Sequence, residues 1–281
     1  MKVTMADVAA AAGVNKATVS RVLRGDARIS QGTCEKVWAA VKRLGYRPDA
    51  VAKGLSSRTN DLVGVVFRDL ASPWAGSFLF GMERVLGRLG MDCIVKETGE
   101  QGGRRSHAVH RLISRRVDGL VFLEDTPQET GGLPVVSVGL RNPSGVSVSI
   151  DLEGAAAILK AFAGERGIRY RAGERALFSG LGKILQQEGK ESKGTLWVYD
   201  EACPKEEQTP PLGPGDDIVI CGSRREAFYS GFWVLEFPAF EMGVLAARIL
   251  VNSLRNRGVR PQAVSVVPSL FSPEGELFHL S

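Results

Sequence analysis

Residues 14–23 read VNKATVSRVL, and this stretch decides how the first part of the chain folds. The apolar residues Val19, Val22 and Leu23 are spaced i, i+3 and i+4, which predicts a helix with one buried stripe. Asn15 stands where this helix would begin, and its side-chain oxygen can accept a hydrogen bond from a free amide of the first turn. The stretch therefore predicts a short amphipathic helix.

The opposite face of this helix is polar, with one small side chain. It comprises Lys16, Ala17, Ser20 and Arg21. An arginine can form two hydrogen bonds with a guanine edge, and a small alkyl group can contact a thymine methyl. The small residue also lets the backbone come close to a partner. These residue types suit a helix that lies in the major groove of DNA.

A second helix is predicted immediately before it. Thr4 and Asp7 have the spacing of a capping box with Asp in the Glu position, and Gly13 suits a helix end that needs a positive φ. The apolar face of this helix comprises Met5, Val8, Ala9 and Ala12. Two helices joined by a glycine turn within about twenty residues form the helix-turn-helix layout. From these residues alone, a small helical bundle with a solvated basic face is the alternative.

A third helix is predicted over residues 31–44, ending at Gly45. Its core side comprises Val37, Val41 and Leu44. Ser30 and Thr33 lie at its start and have two interpretations. They contact a DNA phosphate, because a helix N-terminus favours an anion, or they simply cap the helix.

The positive charge of the chain is concentrated in this first part. Of the net charge of +5, residues 1–60 contribute eleven Lys and Arg against four Asp and Glu, a balance of +7. The remaining residues hold 25 Lys and Arg against 27 Asp and Glu, a balance of −2. A protein that displaces counterions from phosphates has such a distribution.

Residues 3–67 read VTMADVAAAAGVNKATVSRVLRGDARISQGTCEKVWAAVKRLGYRPDAVAKGLSSRTNDLVGVVF. This stretch resembles, without a gap, the N-terminus of the LacI/GalR family of bacterial transcription repressors. The resemblance implies a transcriptional repressor that binds an inverted-repeat operator in double-stranded DNA as a homodimer, with recognition helices in the major groove. The predicted DNA-binding residues are Thr4, Asn15, Lys16, Ala17, Thr18, Ser20, Arg21, Ser30, Thr33, Ala52 and Leu55.

The resemblance also implies a division into three parts. Residues 1–46 form a helix-turn-helix DNA-binding domain, residues 47–60 a hinge helix and linker, and residues 61–281 an effector-binding and dimerisation core. In the family, two hinge helices pair across the dimer and enter the minor groove. Leu55 matches the leucine that is inserted between base pairs, and Ala52 is small enough for the two hinges to approach each other.

From residue 62 the pattern of apolar residues changes from helical spacing to strand-like runs. LVGVVF, at residues 62–67, is a continuous apolar run typical of a strand buried on both faces, and further strand and helix patterns alternate after it. These segments resemble the first lobe of the family's core. The predicted fold class is an all-α helix-turn-helix domain plus an α/β core, with the two lobes and doubly wound parallel sheets of periplasmic-binding proteins, here shortened.

The resemblance weakens after about residue 160. Residues 161–194 lack the family's Gly-His turn and the strand expected with it, and no arginine has the spacing of the family's effector clamp. The nearest candidate effector contacts are Trp74, Arg141 and Asp151; their alternatives are a core aromatic, a salt-bridged surface arginine and a helix cap. Two hypotheses follow: a small sugar-like effector binds between the lobes, or the core is a dimeriser that is blind to ligands or controlled by a protein partner.

Other classes of protein are disfavoured. His107 and His110 lie on a predicted helix without an acidic partner at metal-binding spacing, so a solvated face is favoured over a metal site. No nucleophile motif, P-loop or dinucleotide fingerprint occurs, which predicts no enzyme and no cofactor beyond an unidentified effector. No apolar run reaches the roughly 18 residues of a membrane span. Four scattered cysteines favour reduced thiols in a cytoplasmic protein. As a DNA-binding protein it is expected at the nucleoid. A non-specific DNA-bending protein remains an alternative, which the base-reading face around Arg21 disfavours.

Overall fold

The structure is a computed structural model. It describes residues 3–23, 25–46, 59–72, 74–99, 102–123, 130–139, 145–172, 178, 180–185, 194–200, 211–223, 228–256 and 263–279. The chain divides into two compact units, Met1–Asn60 and Asp61–Ser281. The separate hinge and linker predicted over residues 47–60 stays a prediction, because residues 47–58 lie outside the described ranges.

The first unit consists of three helices around one small core. They are α1 (Met5–Ala12), α2 (Lys16–Leu23) and α3 (Gln31–Leu44). Its buried side chains are Val8, Ala9, Val19, Val22, Val37 and Ala40. Gly13 and Gly45 end α1 and α3 with φ of +66° and +61°, a left-handed conformation that costs glycine little. The three predicted helices are therefore confirmed.

The second unit alternates strands and helices. Its elements are β1 (Leu62–Phe67), α4 (Ala75–Leu86), a 3-10 turn (Gly87–Leu89), β2 (Asp92–Glu97), α5 (Gly102–Ser114), β3 (Gly119–Leu123), β4 (Val135–Gly139), β5 (Ser147–Ile150), α6 (Leu152–Ala163), β6 (Gly167–Ala172), α7 (Leu181–Leu185), β7 (Thr195–Asp200), β8 (Asp217–Gly222), β9 (Trp233–Glu236), α8 (Ala239–Arg255), β10 (Ala263–Val266) and β11 (Ser269–Phe271).

These strands form two sheets, one in each lobe. The first has the order β10-β5-β4-β3-β1-β2, and all its neighbours are parallel. The second has the order β11-β9-β8-β7-β6, parallel except for β11 against β9. The chain passes between the sheets three times, through α6, through α8 and between β10 and β11. The predicted class, an all-α unit followed by an α/β unit with parallel sheets, is confirmed.

Strand β6 corrects one prediction. A strand was expected to be absent from residues 161–194, yet Gly167–Ala172 pairs with β7 at the edge of the second sheet. Here Ile168 and Tyr170 are half-buried, while Arg169 and Arg171 are exposed. This period-two alternation is typical of a half-buried strand. The prediction was wrong because it was based on the missing Gly-His motif of the family and not on this alternation.

Helices α4 and α8 cross in very close contact on the first lobe. A Cβ atom at Gly81 would overlap the carbonyl oxygen of Phe240, and one at Gly243 would overlap the carbonyl oxygen of Phe78. Both positions therefore require glycine, because the two backbones touch. No helix within the described ranges is long and apolar enough to cross a membrane.

Candidate DNA-binding interface

The start of α2 is set by one side chain. The Asn15 side-chain oxygen accepts from the Thr18 amide at 2.7 Å, which satisfies a donor that the helix itself leaves unpaired. Val19 and Val22 are 0% and 3% exposed, so the helix is anchored on its apolar stripe. The cap and the stripe together determine which face of α2 points outward.

The outward face of α2 carries the polar residues that the sequence predicted for it. Lys16, Ala17 and Arg21 are exposed, and Thr18 and Ser20 are half-buried. Among the described residues, Arg21 takes part in no ion pair. Its side chain is exposed on the outward face of the helix. The structure brings these five side chains together on one helix of two turns.

The turn after α2 holds a carboxylate that could otherwise compete for Arg21. Asp26 accepts two hydrogen bonds from the Arg28 guanidinium group, at 2.9 and 2.8 Å, and one from the Arg28 amide at 3.1 Å. The side-chain and backbone hydrogen bonds of Arg28 lower the pKa of Asp26 well below its ordinary value, with a smaller contribution from the charge of Arg21. Arg28 thus neutralises Asp26 and leaves Arg21 facing outward.

Thr4 forms the predicted capping box. Its amide and hydroxyl both donate to the Asp7 carboxylate, at 2.8 and 2.7 Å, and the Asp7 amide donates back to the hydroxyl at 3.4 Å. These bonds, the one from the Thr4 amide foremost, lower the pKa of Asp7. Both donors of Thr4 are therefore engaged, so a phosphate contact by Thr4 requires its hydroxyl to leave Asp7.

Ser30 and Thr33 lie at the start of α3 and bind each other. Their hydroxyl oxygens are 2.9 Å apart, and the Ser30 side chain makes no capping hydrogen bond. Ser30 thus occupies the N-cap position of α3, but its hydroxyl does not cap an amide of the first turn. Each hydroxyl has one hydrogen to donate, and their mutual bond uses only one of the two. The other hydrogen remains for an external acceptor at a helix N-terminus, which is where a phosphate is favoured.

Three predicted site residues cannot be placed. Ala52, Leu55 and Arg141 lie outside the described ranges. The hinge roles of Ala52 and Leu55 and the effector contact of Arg141 stay predictions.

The other two candidate effector contacts lie in the second unit. Asp151 precedes α6, and its carboxylate accepts from the Gly154 amide at 3.0 Å, so it serves as a helix cap. Trp74 precedes α4 and is half-buried, with its ring centroid 5.0 Å from that of Phe237 and 5.8 Å from that of Phe67. Both contacts agree with the structural alternatives, a helix cap and a core aromatic.

Trp74 belongs to an aromatic cluster between the two sheets. Phe67 ends β1 of the first sheet, and Phe237 follows β9 of the second. Phe178, which is 0% exposed, packs edge-on against Phe237 at 6.2 Å between centroids. Ligands of open α/β sheets bind beyond the carboxyl ends of the strands, which is where Phe67 and Phe237 lie. Aromatic side chains of this chain thus occupy that position.

A buried carboxylate that the sequence interpretation missed holds Phe178 in place. Asp200 is the last residue of β7 and is 0% exposed. It accepts from the Phe178 amide at 2.9 and 3.0 Å and from the Tyr170 hydroxyl at 2.5 Å. Burial, and then the hydrogen bond to Asp200, raise the pKa of Tyr170. The one signal in the sequence is an acidic residue at the end of the apolar run TLWVYD.

A metal site finds no support among the described residues. They contain no group of three His, Cys, Asp or Glu side chains that could hold a metal ion. His107 and His110 lie on α5 and are exposed.

Comparison with known proteins gives this interface a context. Residues 4–49 match the family described as bacterial regulatory proteins, lacI family. The chain is 29% identical over 297 residues to catabolite control protein A of Staphylococcus aureus, covering 96% of this chain and 89% of that protein.

Two solved structures have the same fold. The crystal structure of the Lac repressor dimer bound to operator and the anti-inducer ONPF superposes with a TM-score of 0.75 at 19% identity, covering 99% of this chain and 98% of that one. The complex of the transcriptional regulator CelR with cellobiose has a TM-score of 0.59 at 21% identity, with coverage of 96% and 98%. Residues 4–49 therefore match the helix-turn-helix domain of the lacI family, and the chain has the fold of Lac repressor.

Proposed function

We propose that this protein is a transcriptional repressor that binds an inverted-repeat operator as a homodimer. The observation that carries the proposal is the outward face of α2, where Lys16, Ala17 and Arg21 are exposed above a buried valine stripe. A non-specific DNA-bending protein does not need a guanidinium group and a small alkyl group side by side on one helix. A protein that reads base edges does.

Recognition would divide between base and phosphate contacts. Arg21 would donate to a guanine edge in the major groove, and Ala17 would contact a thymine methyl. Lys16 and the hydroxyl pair of Ser30 and Thr33 would bind phosphates and set the register of the helix in the groove. These roles agree with two observations: Arg21 forms no ion pair with any residue that the structure describes, and the Ser30–Thr33 bond uses only one of the two hydroxyl hydrogens at the start of α3.

The proposed dimer and the proposed hinge helix are inferred from similarity to known proteins. Lac repressor, whose fold the core shares, is a dimer bound to operator in its solved structure. Each copy of this chain would supply one α2, and residues 47–60 would pair with those of the second copy in the minor groove, with Leu55 inserted between base pairs. The exposed Phe80 offers a contact for a second copy, because it is 58% exposed and its ring lies 5.7 Å from that of Phe240.

Selection from a random duplex library tests the proposal. One enriched inverted repeat is expected, and the absence of any enrichment would reject specific recognition. Arg21→Ala should weaken binding by about 1–3 kcal/mol and relax selectivity at one base pair in each half-site. Lys42→Ala removes an exposed positive charge from α3 in the same unit and serves as the matched control. An equal loss of affinity for all DNA sequences would indicate that Arg21 contacts only a phosphate.

A second candidate concerns control of the repressor. The aromatic cluster of Trp74, Phe237 and Phe178 stands where an effector would bind, and Asp200 is committed to Phe178 and Tyr170. These contacts favour a core that dimerises without a sugar-like effector. DNA binding would then be controlled by the abundance of the protein itself or by a protein partner. CelR was solved with cellobiose, so a sugar effector is the competing proposal.

Operator binding measured with and without added compounds decides between the two. A panel of sugars, nucleosides and a cell extract covers both a small effector and a protein partner. We expect no response to any pure compound. A change in affinity with one sugar or nucleoside would restore the effector hypothesis, and a response to the extract alone would point to a partner. In either case the protein would act in the cytoplasm, at the nucleoid.

A further inference from the structure

Helix α5 is unusually basic for the unit that contains it. Residues 101–117 include five arginines and two histidines, with no Asp or Glu. Residues 61–281 as a whole hold 25 Lys and Arg against 27 Asp and Glu. Helix α5 and the two residues after it therefore carry a local excess of positive charge, with Arg104, Arg105 and Arg111 on the helix and Arg115 and Arg116 beyond its end.

The packing of α5 turns these side chains outward. Val109 and Leu112, 2% and 0% exposed, pack against Val66, Leu120 and Phe122 of the first sheet. Arg104, His107 and Arg111 have the spacing i, i+3 and i+7, which places them along one stripe of the opposite side. The basic face, as we name it, comprises Arg104, His107, His110, Arg111 and Arg115, all of which are exposed.

None of the five side chains of the basic face forms an ion pair or a hydrogen bond with a carboxylate in the part of the chain that the structure describes. The nearby Asp118 carboxylate accepts from the Leu62 amide at 3.1 Å. None of the exposed large apolar side chains within the described ranges belongs to α5. The exposed cations of this face suit an anionic partner.

The position of the end of α5 suggests which polyanion could bind the basic face. The Asp118 amide donates to the Leu62 oxygen at 2.7 Å, so the turn that carries Arg115 lies at the edge where the chain enters this unit. Residues 47–60 join that edge to the first unit, and 14 residues span at most about 50 Å. Duplex bound by α2 is therefore covalently tethered to the second unit, and a tether raises the effective concentration of the duplex for any contact that this unit makes.

We propose that the basic face of α5 is a second, sequence-independent contact that binds duplex DNA flanking the site read by α2. The inference rests on the proposed function, because α2 must first bring the duplex within reach. Guanidinium groups bind phosphates through paired hydrogen bonds, and the row of Arg104, Arg111 and Arg115 would follow a strand of phosphates. The histidines would donate further hydrogen bonds without base selectivity.

The test compares two full-length triple variants that remove the same charge. R104Q/R111Q/R115Q neutralises the basic face, and R88Q/R248Q/R255Q neutralises three exposed arginines on other elements. Glutamine keeps a high helix propensity, and circular dichroism melting verifies that both variants fold. Affinity for a random-sequence 60-bp duplex and for a 20-bp duplex is measured by fluorescence anisotropy at roughly 50–200 mM salt, the range in which phosphate contacts are resolved.

The basic-face variant should bind the 60-bp duplex more weakly than the control. Its plot of log affinity against log salt should be shallower by about 2–3, since each lost phosphate contact removes about 0.9. On the 20-bp duplex the two variants should agree. If the two variants gave equal slopes of log affinity against log salt on the 60-bp duplex, the proposal would be overturned. Equal slopes are the result expected of a face that binds an acidic protein and not DNA. The sequence selected from a random library should be unchanged by these substitutions, so a failure here is distinguishable from a failure of α2 to read bases.

Discussion

Replacing Phe178 with alanine tests whether the space between the lobes is filled by the chain itself. The Phe178 ring is 0% exposed and packs against Phe237, so its loss removes buried apolar surface and leaves a cavity. The two effects together lower the free energy of unfolding by about 3–5 kcal/mol for a buried phenylalanine. The hydrogen bonds to Asp200 come from the backbone amide of Phe178, so the substitution leaves them in place and tests the ring alone.

The assay is urea unfolding followed by tryptophan fluorescence in a Trp38→Phe background, which leaves only tryptophans of the second unit. Phe228→Ala, at a residue 75% exposed, is the control and should change stability by less than about 0.5 kcal/mol. The cavity in the Phe178→Ala variant should also bind benzene, which matches the ring removed, with a stabilisation of about 1.4 kcal/mol at ten times the Kd. A loss below about 1 kcal/mol, with no effect of benzene, would refute the view that this ring fills the site.

Three further outcomes are expected. Asn15→Ala should destabilise the first unit by about 1 kcal/mol in thermal unfolding, because the Thr18 amide loses its acceptor, whereas Asn15→Ser should retain most of the stability; equal losses would contradict the capping role. Gly243→Ala should cost about 1–3 kcal/mol in urea unfolding because its Cβ would strike the carbonyl of Phe78, while Gly76→Ala, with nothing within 4 Å, should be neutral or stabilising. The fold raises the pKa of Tyr170 above its ordinary value of about 10, so the unfolded chain loses that proton first and the free energy of unfolding should fall above about pH 10, by at most about 1.4 kcal/mol per pH unit. Tyr170→Phe should flatten this alkaline fall, and an unchanged slope in the variant would contradict the assignment.

The helices and caps of the candidate DNA-binding interface could be predicted almost entirely from the sequence, because their determinants are local, whereas the contacts of its residues with DNA stay predictions. The Thr4–Asp7 capping box, the Asn15 cap and the Gly13 turn all act within four residues along the chain. The helical period then decides that Val19 and Val22 turn inward and Arg21 outward. The pairing of Ser30 with Thr33 was not predicted, since it depends on rotamers that spacing alone leaves open.

The second unit was predicted less completely. Strands with continuous apolar runs, such as β1 and β3, could be recognised because burial on both faces leaves a strong pattern. The edge strand β6 has only one buried face and alternates with arginines, and the prediction that this strand was absent proved wrong. Its place at the edge depends on its pairing with β7, which lies more than twenty residues later in the chain.

The sequence by itself determined that the first unit presents a short helix with an exposed basic face, because caps, turns and helical periodicity act between near neighbours. Only the tertiary structure decided what lies between the two lobes. Tyr170, Phe178 and Asp200 meet there through hydrogen bonds that span up to 30 positions, and Trp74 meets Phe237 from the other lobe. Such contacts depend on the register and order of strands in two sheets, which no local pattern specifies.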